Sequence, residues 1–188
     1  AVIDPKSEAV MLANGYEPST IVKVEALRFL SLISTTTEAS NKRNHTATER
    51  RLLICGEYDA LMCARQLQLL AEIVPLVKDN YALIFRAHPG NPIPQESLPT
   101  VVSLSEAHTI GEELAKCCVV LCSNVSSVSL DANLQEIPIL MFRDGRGFDG
   151  SLFGASPRMK YVANATDVAA LLKKPKFVGM SGSADPSY

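Results

Sequence analysis

A histidine stands directly after an apolar stretch, at the point where a core strand of a parallel sheet would end. The segment "RAHPGNP" spans residues 86–92 and follows the apolar run "YALIF". Pro89 restricts His88 to extended backbone conformations, so the imidazole would project from the end of the strand. Beside a phosphate, an imidazolium could bind the anion or donate a proton to it. The alternative interpretation is a turn that contains a structural histidine.

A second polar group follows another apolar run, in the segment "CSNVSSVSLDA" at residues 122–132. Ser123 and Asn124 turn the chain, and Ser126 and Ser127 fall in the first turn of the next predicted helix. Unpaired N–H groups at a helix start attract anions, and the two hydroxyls add donors, so a phosphate is the natural ligand. A serine N-cap is the structural alternative. Asp131, about one helical turn further on, could reach a ribose hydroxyl or face solvent.

The pattern of the remaining chain indicates how these residues are positioned. From residue 51 onward, short apolar runs alternate with segments of helical periodicity; the runs are "RLLIC", "YALIFRA", "TVVSLS", "CVVLCS", "IPILMF" and "KYVA". This alternation predicts the α/β class, with a doubly wound, Rossmann-like parallel sheet. Ligands of such sheets bind beyond the carboxyl ends of the strands, where the strand order reverses. The His88 and Ser126 segments are therefore predicted to line one crevice.

Three regions are predicted along the chain. Residues 1–50 form an N-terminal appendage that ends in a polar linker, residues 51–175 form the Rossmann-like nucleotide-binding domain, and residues 176–188 form a flexible tail. The linker, residues 35–50, is rich in Thr and polar residues and lacks periodicity, which predicts poor order.

Helix signals are present in the appendage and after the first strand. In "SEAVMLANGY", Ser7 is the predicted N-cap and Gly15 lies near the predicted end. In the longer helix that follows "RLLIC", Asp59 is the predicted N-cap. Pro75 is predicted to kink or restart that helix, because proline lacks the backbone N–H.

Composition excludes several classes of function. The formal net charge is −2 and no large basic cluster is present, so nucleic acid is not an expected partner. No signal peptide or transmembrane segment is predicted, which favours the cytoplasm and leaves peripheral attachment at the inner membrane open. The first strand is followed by "CGEYDA" instead of G-x-G-x-x-G, and no Walker A loop occurs. No cofactor is therefore predicted.

The five cysteines, at positions 55, 63, 117, 118 and 122, do not have the C-x-x-C spacing of zinc sites. Their odd number also argues against a framework of disulfides. Free thiols buried in a reducing compartment are the expected state, and no metal site is predicted.

Three segments together resemble a known family. "FRAHPGN", "LCSNVSSVSLDANLQEIPILMF" and "SPRMKYVANATDVAALL" are similar to the C-terminal, nucleotide-binding half of GT-B glycosyltransferases. The resemblance extends to bacterial sialyl- and Kdo-type transferases, which use CMP-activated acidic sugars, and to surface-carbohydrate biosynthesis proteins. Those enzymes carry a His-Pro pair after one strand and a Ser-Ser pair at a later helix start. His88-Pro89 and Ser126-Ser127 match both pairs in order and context, and the resemblance covers most of residues 51–173.

The resemblance implies a donor-binding half of a glycosyltransferase in surface polysaccharide biosynthesis. His88 would be the catalytic residue, contacting the phosphate of a CMP-linked sugar and assisting its departure. The residues predicted to bind the donor are Arg86, Pro89, Gly90, Ser123, Asn124, Ser126, Ser127 and Asp131. In this family the base that activates the glycan acceptor lies in an N-terminal domain that is missing here, so the chain is expected to be inactive alone.

Other functions are compatible with the same motifs. CDP-glycerol-type polyol phosphotransferases also combine a His-Pro pair with a Ser-Ser helix start, and non-hydrolysing epimerases of sugar nucleotides share the GT-B shape. A non-catalytic α/β regulatory or interaction domain is the alternative from another class. A receiver domain would need an acidic cluster after the first strand, and only "GEYD" approaches one.

Overall fold

The computed structural model describes residues 5–24, 50–143 and 157–174. The predicted linker, apart from Arg50, and the predicted tail lie outside the described residues. The division of the chain into three regions therefore stays a prediction.

The described chain is built on a six-stranded sheet in which every neighbouring pair is parallel. The strands are β1 (Arg51–Cys55), β2 (Ala82–Arg86), β3 (Val102–Leu104), β4 (Val119–Ser123), β5 (Ile139–Phe142) and β6 (Met159–Val162). Their order is β3-β2-β1-β4-β5-β6. The order reverses between β1 and β4, which lie side by side at the centre. The predicted fold class, a doubly wound Rossmann-like sheet, is confirmed.

Helix α1 (Pro5–Ala13) precedes β1. The two faces of the sheet are covered by α2 (Ala60–Val77), α3 (Ile110–Leu114), α4 (Val128–Leu134) and α5 (Ala165–Leu172). The chain also forms short 3₁₀ turns at Pro18–Thr20 and Gln95–Ser97.

Alternate residues of each strand belong to different cores, because successive side chains of a strand point to opposite faces. Leu52 and Ile54 of β1 pack with residues of α2 and α5 on one face. Leu53 and Cys55 pack with residues of α3 and α4 on the other. Since both faces are covered, the central strands are apolar throughout, as a parallel sheet requires.

The helix-end predictions are confirmed for α2 and partly wrong for α1. Asp59 caps α2, because its carboxylate accepts a hydrogen bond of 2.8 Å from the Met62 N–H. α2 continues through Pro75 to Val77 as one element, so the predicted restart does not occur. α1 begins at Pro5, which places Ser7 inside the helix and not at its N-cap. Proline is well suited to the first turn, because its missing N–H would have no partner there.

Gly15 ends α1 as predicted. Its φ of +83° is in the left-handed region, and the Tyr16 N–H donates to the Met11 carbonyl at 3.2 Å. This is the Schellman arrangement, which favours glycine at the left-handed position.

All five cysteines are buried and free, as predicted. Burial raises the pKa of each thiol, and the negative charge of Glu57 adds to burial in raising the pKa of Cys122 to about 12. A thiol in such surroundings stays protonated and packs as a small apolar group. Within residues 5–24, 50–143 and 157–174, no group of three His, Cys, Asp or Glu side chains is placed to hold a metal ion.

The helix α2 is long and apolar enough to cross a membrane by length and composition, with a mean hydropathy of 1.4. No segment of this kind is predicted from the sequence, so the finding differs from the prediction. Its buried side chains, among them Leu70 and Ile73, pack against one face of the sheet. The apolar composition of α2 is therefore explained by its place in the core.

Candidate functional site

Three loops follow the carboxyl ends of β2, β1 and β4, which are adjacent in the sheet. They are the His88 turn (residues 88–91), the Glu57 loop (57–59) and the Ser123 loop, which consists of the last residue of β4 and residues 124–127. Because β1 lies between β2 and β4, the Glu57 loop lies between the other two. This edge includes the point where the strand order reverses, which is where Rossmann-like sheets bind ligands.

The His88 turn is closed by its own backbone. The Asn91 N–H donates to the His88 carbonyl at 2.9 Å, with Pro89 at the second position of the turn. The Gly90 N–H donates to Nδ1 of His88 at 3.0 Å. A nitrogen that accepts a hydrogen bond carries no proton, so the imidazole hydrogen is on Nε2. The exposed His88 therefore presents Nε2–H as a donor.

Tyr58 packs against this turn. Its ring and the His88 ring form an edge-to-face pair with centroids 5.5 Å apart and an interplanar angle of 76°. A Cβ atom at Gly90 would lie 2.8 Å from Cδ2 and Cε2 of Tyr58. Such a distance is too short for carbon atoms, so only glycine allows the tyrosine to approach the turn this closely.

Glu57 joins all three loops, although no role is predicted for it from the sequence. Its backbone carbonyl accepts a hydrogen bond of 3.0 Å from Nδ2 of Asn91 in the His88 turn. Its carboxylate accepts one of 2.5 Å from the Ser123 hydroxyl. Its backbone N–H donates to Oε1 of Gln66 at 3.0 Å, and Nε2 of Gln66 donates to the Cys55 carbonyl at 3.1 Å. The position of Glu57 just after β1, in the polar stretch "GEYD", was the one signal available.

The Ser123 loop turns sharply between β4 and α4. Ser123 is fully buried, and its hydroxyl oxygen accepts a 3.3 Å hydrogen bond from the Val125 N–H. The Ser126 N–H donates to the Ser123 carbonyl at 3.2 Å. Ser127 precedes α4 in helical conformation and its hydroxyl does not cap the helix. The N-cap alternative is therefore not realised at Ser127, and the phosphate-binding role of the serines stays a prediction.

Two further predicted binding residues are buried in this region. Asn124 is 7% exposed and Asp131 is 1% exposed. The solvent-facing alternative for Asp131 is therefore wrong, because the first turns of α4 pack into the core with Ala132. Its predicted contact with a ribose stays a prediction.

Arg86 is directed towards protein atoms and away from the central loops. Its guanidinium donates to Oγ of Ser105 at 3.1 Å and to the Ala107 carbonyl at 2.7 Å. Ser105 in turn donates to the buried Glu113 at 2.5 Å. These bonds fix the loop that follows β3. The role of Arg86 in donor binding stays a prediction. In this structure its guanidinium binds only the loop that follows β3, among the contacts described.

Arg143, which directly follows β5, stacks over the Tyr161 ring, with Cζ 4.3 Å from the centroid. Cavities elsewhere in the described chain are separate from the three loops. One of about 230 Å³ lies between α2 and the start of α5, beside Arg65 and Asn164.

The arrangement can therefore offer an imidazole donor, hydroxyl donors and a carboxylate acceptor within neighbouring loops. His88 is connected to Ser123 through Tyr58 and Glu57, so these two residues lie at the same edge of the sheet. The donors suit an anion, whereas the Glu57 carboxylate would repel a phosphate and favour hydroxyl groups.

No protein-family model matches the sequence, and no curated protein matches it. Among solved structures, the chain is similar to the wall teichoic acid polymerase TagF, with a TM-score of 0.62 and 14% identity over 95% of this chain. A variant of TagF soaked with CDPG gives a TM-score of 0.53 at 13% identity, over 95% of this chain and 48% of that one. KpsC of Thermosulfurimonas dismutans, a beta Kdo 2,7 transferase, gives a TM-score of 0.41 at 13% identity, over 87% of this chain and 55% of that one.

The chain spans about half the length of the TagF chains, 49% in the first comparison. The predicted resemblance to one half of a GT-B enzyme is confirmed as a likeness of fold. The similar region covers 95% of this chain.

Proposed function

We propose that this chain is the donor-nucleotide-binding domain of a glycosyltransferase that uses a CMP-activated acidic sugar in bacterial surface polysaccharide biosynthesis. The observation that carries the proposal is the junction at the carboxyl edge. There the His88 turn and the Ser123 loop are held on either side of Glu57 by hydrogen bonds of 3.0 and 2.5 Å. Donors from different loops thereby lie around the point where Rossmann-like sheets bind nucleotides.

The proposed reaction is a displacement at the anomeric carbon of the sugar. The bond from that carbon to the phosphate oxygen of CMP breaks, and the acceptor hydroxyl oxygen forms the new bond while losing its proton. Negative charge then develops on the departing phosphate. Nε2–H of His88 is oriented by the Gly90 N–H on Nδ1, and it would donate to the phosphate oxygen. The hydroxyl groups of Ser126 and Ser127 would add donors on the opposite side.

The acceptor base is proposed to lie outside this chain, so the isolated chain is expected to bind the donor without transferring it. The free, buried thiols favour a reducing compartment, and we assign the chain to the cytoplasm. Peripheral attachment at the inner membrane is compatible with this assignment.

A polyol phosphotransferase that uses CDP-glycerol is the second candidate. It is favoured by the likeness to TagF, a wall teichoic acid polymerase, at a TM-score of 0.62. The same donors would then stabilise CMP as it leaves the phosphorus of glycerol phosphate, so the bond broken is the P–O bond of the diphosphate.

Calorimetric titration of the chain with CMP, CMP-sialic acid, CMP-Kdo and CDP-glycerol tests the proposal and separates the two candidates. His88→Ala should weaken CMP binding by about ten-fold or more, because a hydrogen bond to a charged group is lost. A double Ser126→Ala and Ser127→Ala variant should weaken it less, since the His88 donor remains. His108→Ala and Ser97→Ala are matched controls, because both side chains are exposed and neither residue belongs to the three loops. Absence of CMP binding, or unchanged binding in His88→Ala, would contradict the proposal.

A further inference from the structure

Tyr58 is an exposed aromatic side chain at the centre of the candidate site. It is 69% exposed, although it lies only three residues after the buried end of β1. Burial of a tyrosine ring is energetically favourable, so a ring that stays exposed beside a proposed ligand site is available for contact with a ligand.

The ring contacts the His88 turn, and the backbone on either side of it is fixed by hydrogen bonds. It forms the edge-to-face pair with His88, and Gly90 leaves the space in which it packs against the turn. The backbone of Glu57, which precedes it, is bonded at the N–H by Gln66 and at the carbonyl by Asn91. Asp59, which follows it, caps α2. An aromatic ring fixed in this way loses little conformational entropy when it binds a ligand.

The other tyrosines of the described chain are placed differently. Tyr161 is covered on one face by the guanidinium of Arg143, and Tyr81 is buried, with its hydroxyl on the Leu172 carbonyl. Tyr16 is 54% exposed but lies after α1, in the N-terminal segment. Tyr58 is therefore the tyrosine, among the described residues, that is both exposed and adjacent to His88.

We propose that Tyr58 is the stacking platform for the base of the bound nucleotide, an inference that rests on the proposed function and names its base-binding side chain. A nucleotide carries its phosphate and its base on either side of the ribose, so two neighbouring protein groups must meet them. His88 meets the phosphate, and the ring 5.5 Å from it meets the base. Stacking requires the ring face and not the hydroxyl, and it tolerates any base.

The test compares CMP with ribose 5-phosphate, which carries the sugar and phosphate without a base. Titrations would use the wild-type chain, Tyr58→Ala, Tyr58→Phe and Tyr58→Leu, with Tyr16→Ala as the matched control for loss of an exposed tyrosine. Tyr58→Ala should weaken CMP binding by at least about five-fold, because stacking on an aromatic ring is lost. Tyr58→Leu, which keeps apolar bulk against Gly90 without a ring face, should weaken it similarly. Tyr58→Phe and Tyr16→Ala should bind CMP as the wild type does.

Ribose 5-phosphate should bind all variants equally, because it has no base. Unchanged CMP affinity in Tyr58→Ala and Tyr58→Leu would overturn the stacking inference while the proposed function stands. Equal losses for CMP and ribose 5-phosphate would also overturn it, since Tyr58 would then act only by positioning His88. A wild-type chain that binds neither ligand would refute the proposed function and the inference together.

Discussion

Replacing Gln66 by leucine should destabilise the fold and loosen the loop that carries Glu57 and Tyr58. Gln66 is 1% exposed, and its side-chain amide uses both ends: Oε1 accepts from the Glu57 N–H at 3.0 Å, and Nε2 donates to the Cys55 carbonyl at 3.1 Å. Leucine has nearly the same volume, so the substitution removes the hydrogen bonds without creating a large cavity.

The magnitude follows from the groups left behind. The Glu57 N–H and the Cys55 carbonyl lose these partners where solvent access is restricted, and each unsatisfied group costs about 1–3 kcal/mol. Burying leucine in place of an amide offsets part of this cost. The net loss should be about 3 kcal/mol, which for a chain of 188 residues lowers Tm by about 6–12 °C.

Urea unfolding followed by circular dichroism measures the change as a shift of the midpoint. Gln68→Leu is the matched control, because Gln68 lies on the same helix, is exposed, and makes only a 3.5 Å contact to Glu72. Its free energy of unfolding should change by less than about 0.5 kcal/mol. Equal midpoints for Gln66→Leu and Gln68→Leu would refute the assignment of Gln66 as the residue that fixes the loop. CMP titration of Gln66→Leu should also show weaker binding, since the stacking ring is less fixed.

Two further predictions concern the edge of the sheet and its buried thiols. The Gln95 side chain donates to the Val102 carbonyl at 2.8 Å and accepts from the Leu104 N–H at 2.8 Å, so it covers the edge strand β3. Gln95→Ala should expose that edge and increase self-association in sedimentation velocity, whereas Glu96→Ala should not; equal sedimentation of both variants would contradict this. Burial raises the pKa of Cys122 from 9.0 to about 12, so the unfolded state releases the thiol proton first and stability should fall as pH rises from 9 towards 12. Urea midpoints measured across that range should decline, less steeply in Cys122→Ala, and a flat profile would argue against a protonated buried thiol.

The periodicity of the sequence was sufficient for the fold class. Short apolar runs that alternate with helical segments have few other solutions, because a parallel sheet must be covered on both faces. Local signals also placed Asp59 at the start of α2 and Gly15 at the end of α1, since capping depends on residues within one turn. Ser7 was assigned wrongly for a local reason: a serine is a good cap, but Pro5 two residues earlier is an equally good first residue of a helix.

The candidate site could be predicted only as an edge of the sheet. The rule that ligands bind beyond the carboxyl ends of parallel strands selected the His88 and Ser123 segments before their neighbours were known. The same rule also applies to the segment after β1, but it does not indicate which residues of that segment contact the neighbouring loops. Glu57 and Tyr58 are ordinary polar and aromatic residues until the strand order is fixed.

Only the tertiary structure decided which side chains meet. Glu57 and Ser123 are 66 positions apart, and their 2.5 Å hydrogen bond exists because β1 and β4 are neighbours in the sheet. Arg86 lies only two residues before His88 in the sequence, yet its guanidinium is directed to the loop after β3, because β3 is the neighbour of β2 in the sheet. The sequence by itself determined which segments are buried and where they end. Side-chain partners across strands depend on the order and register of the sheet, which are set by the packing of the whole chain.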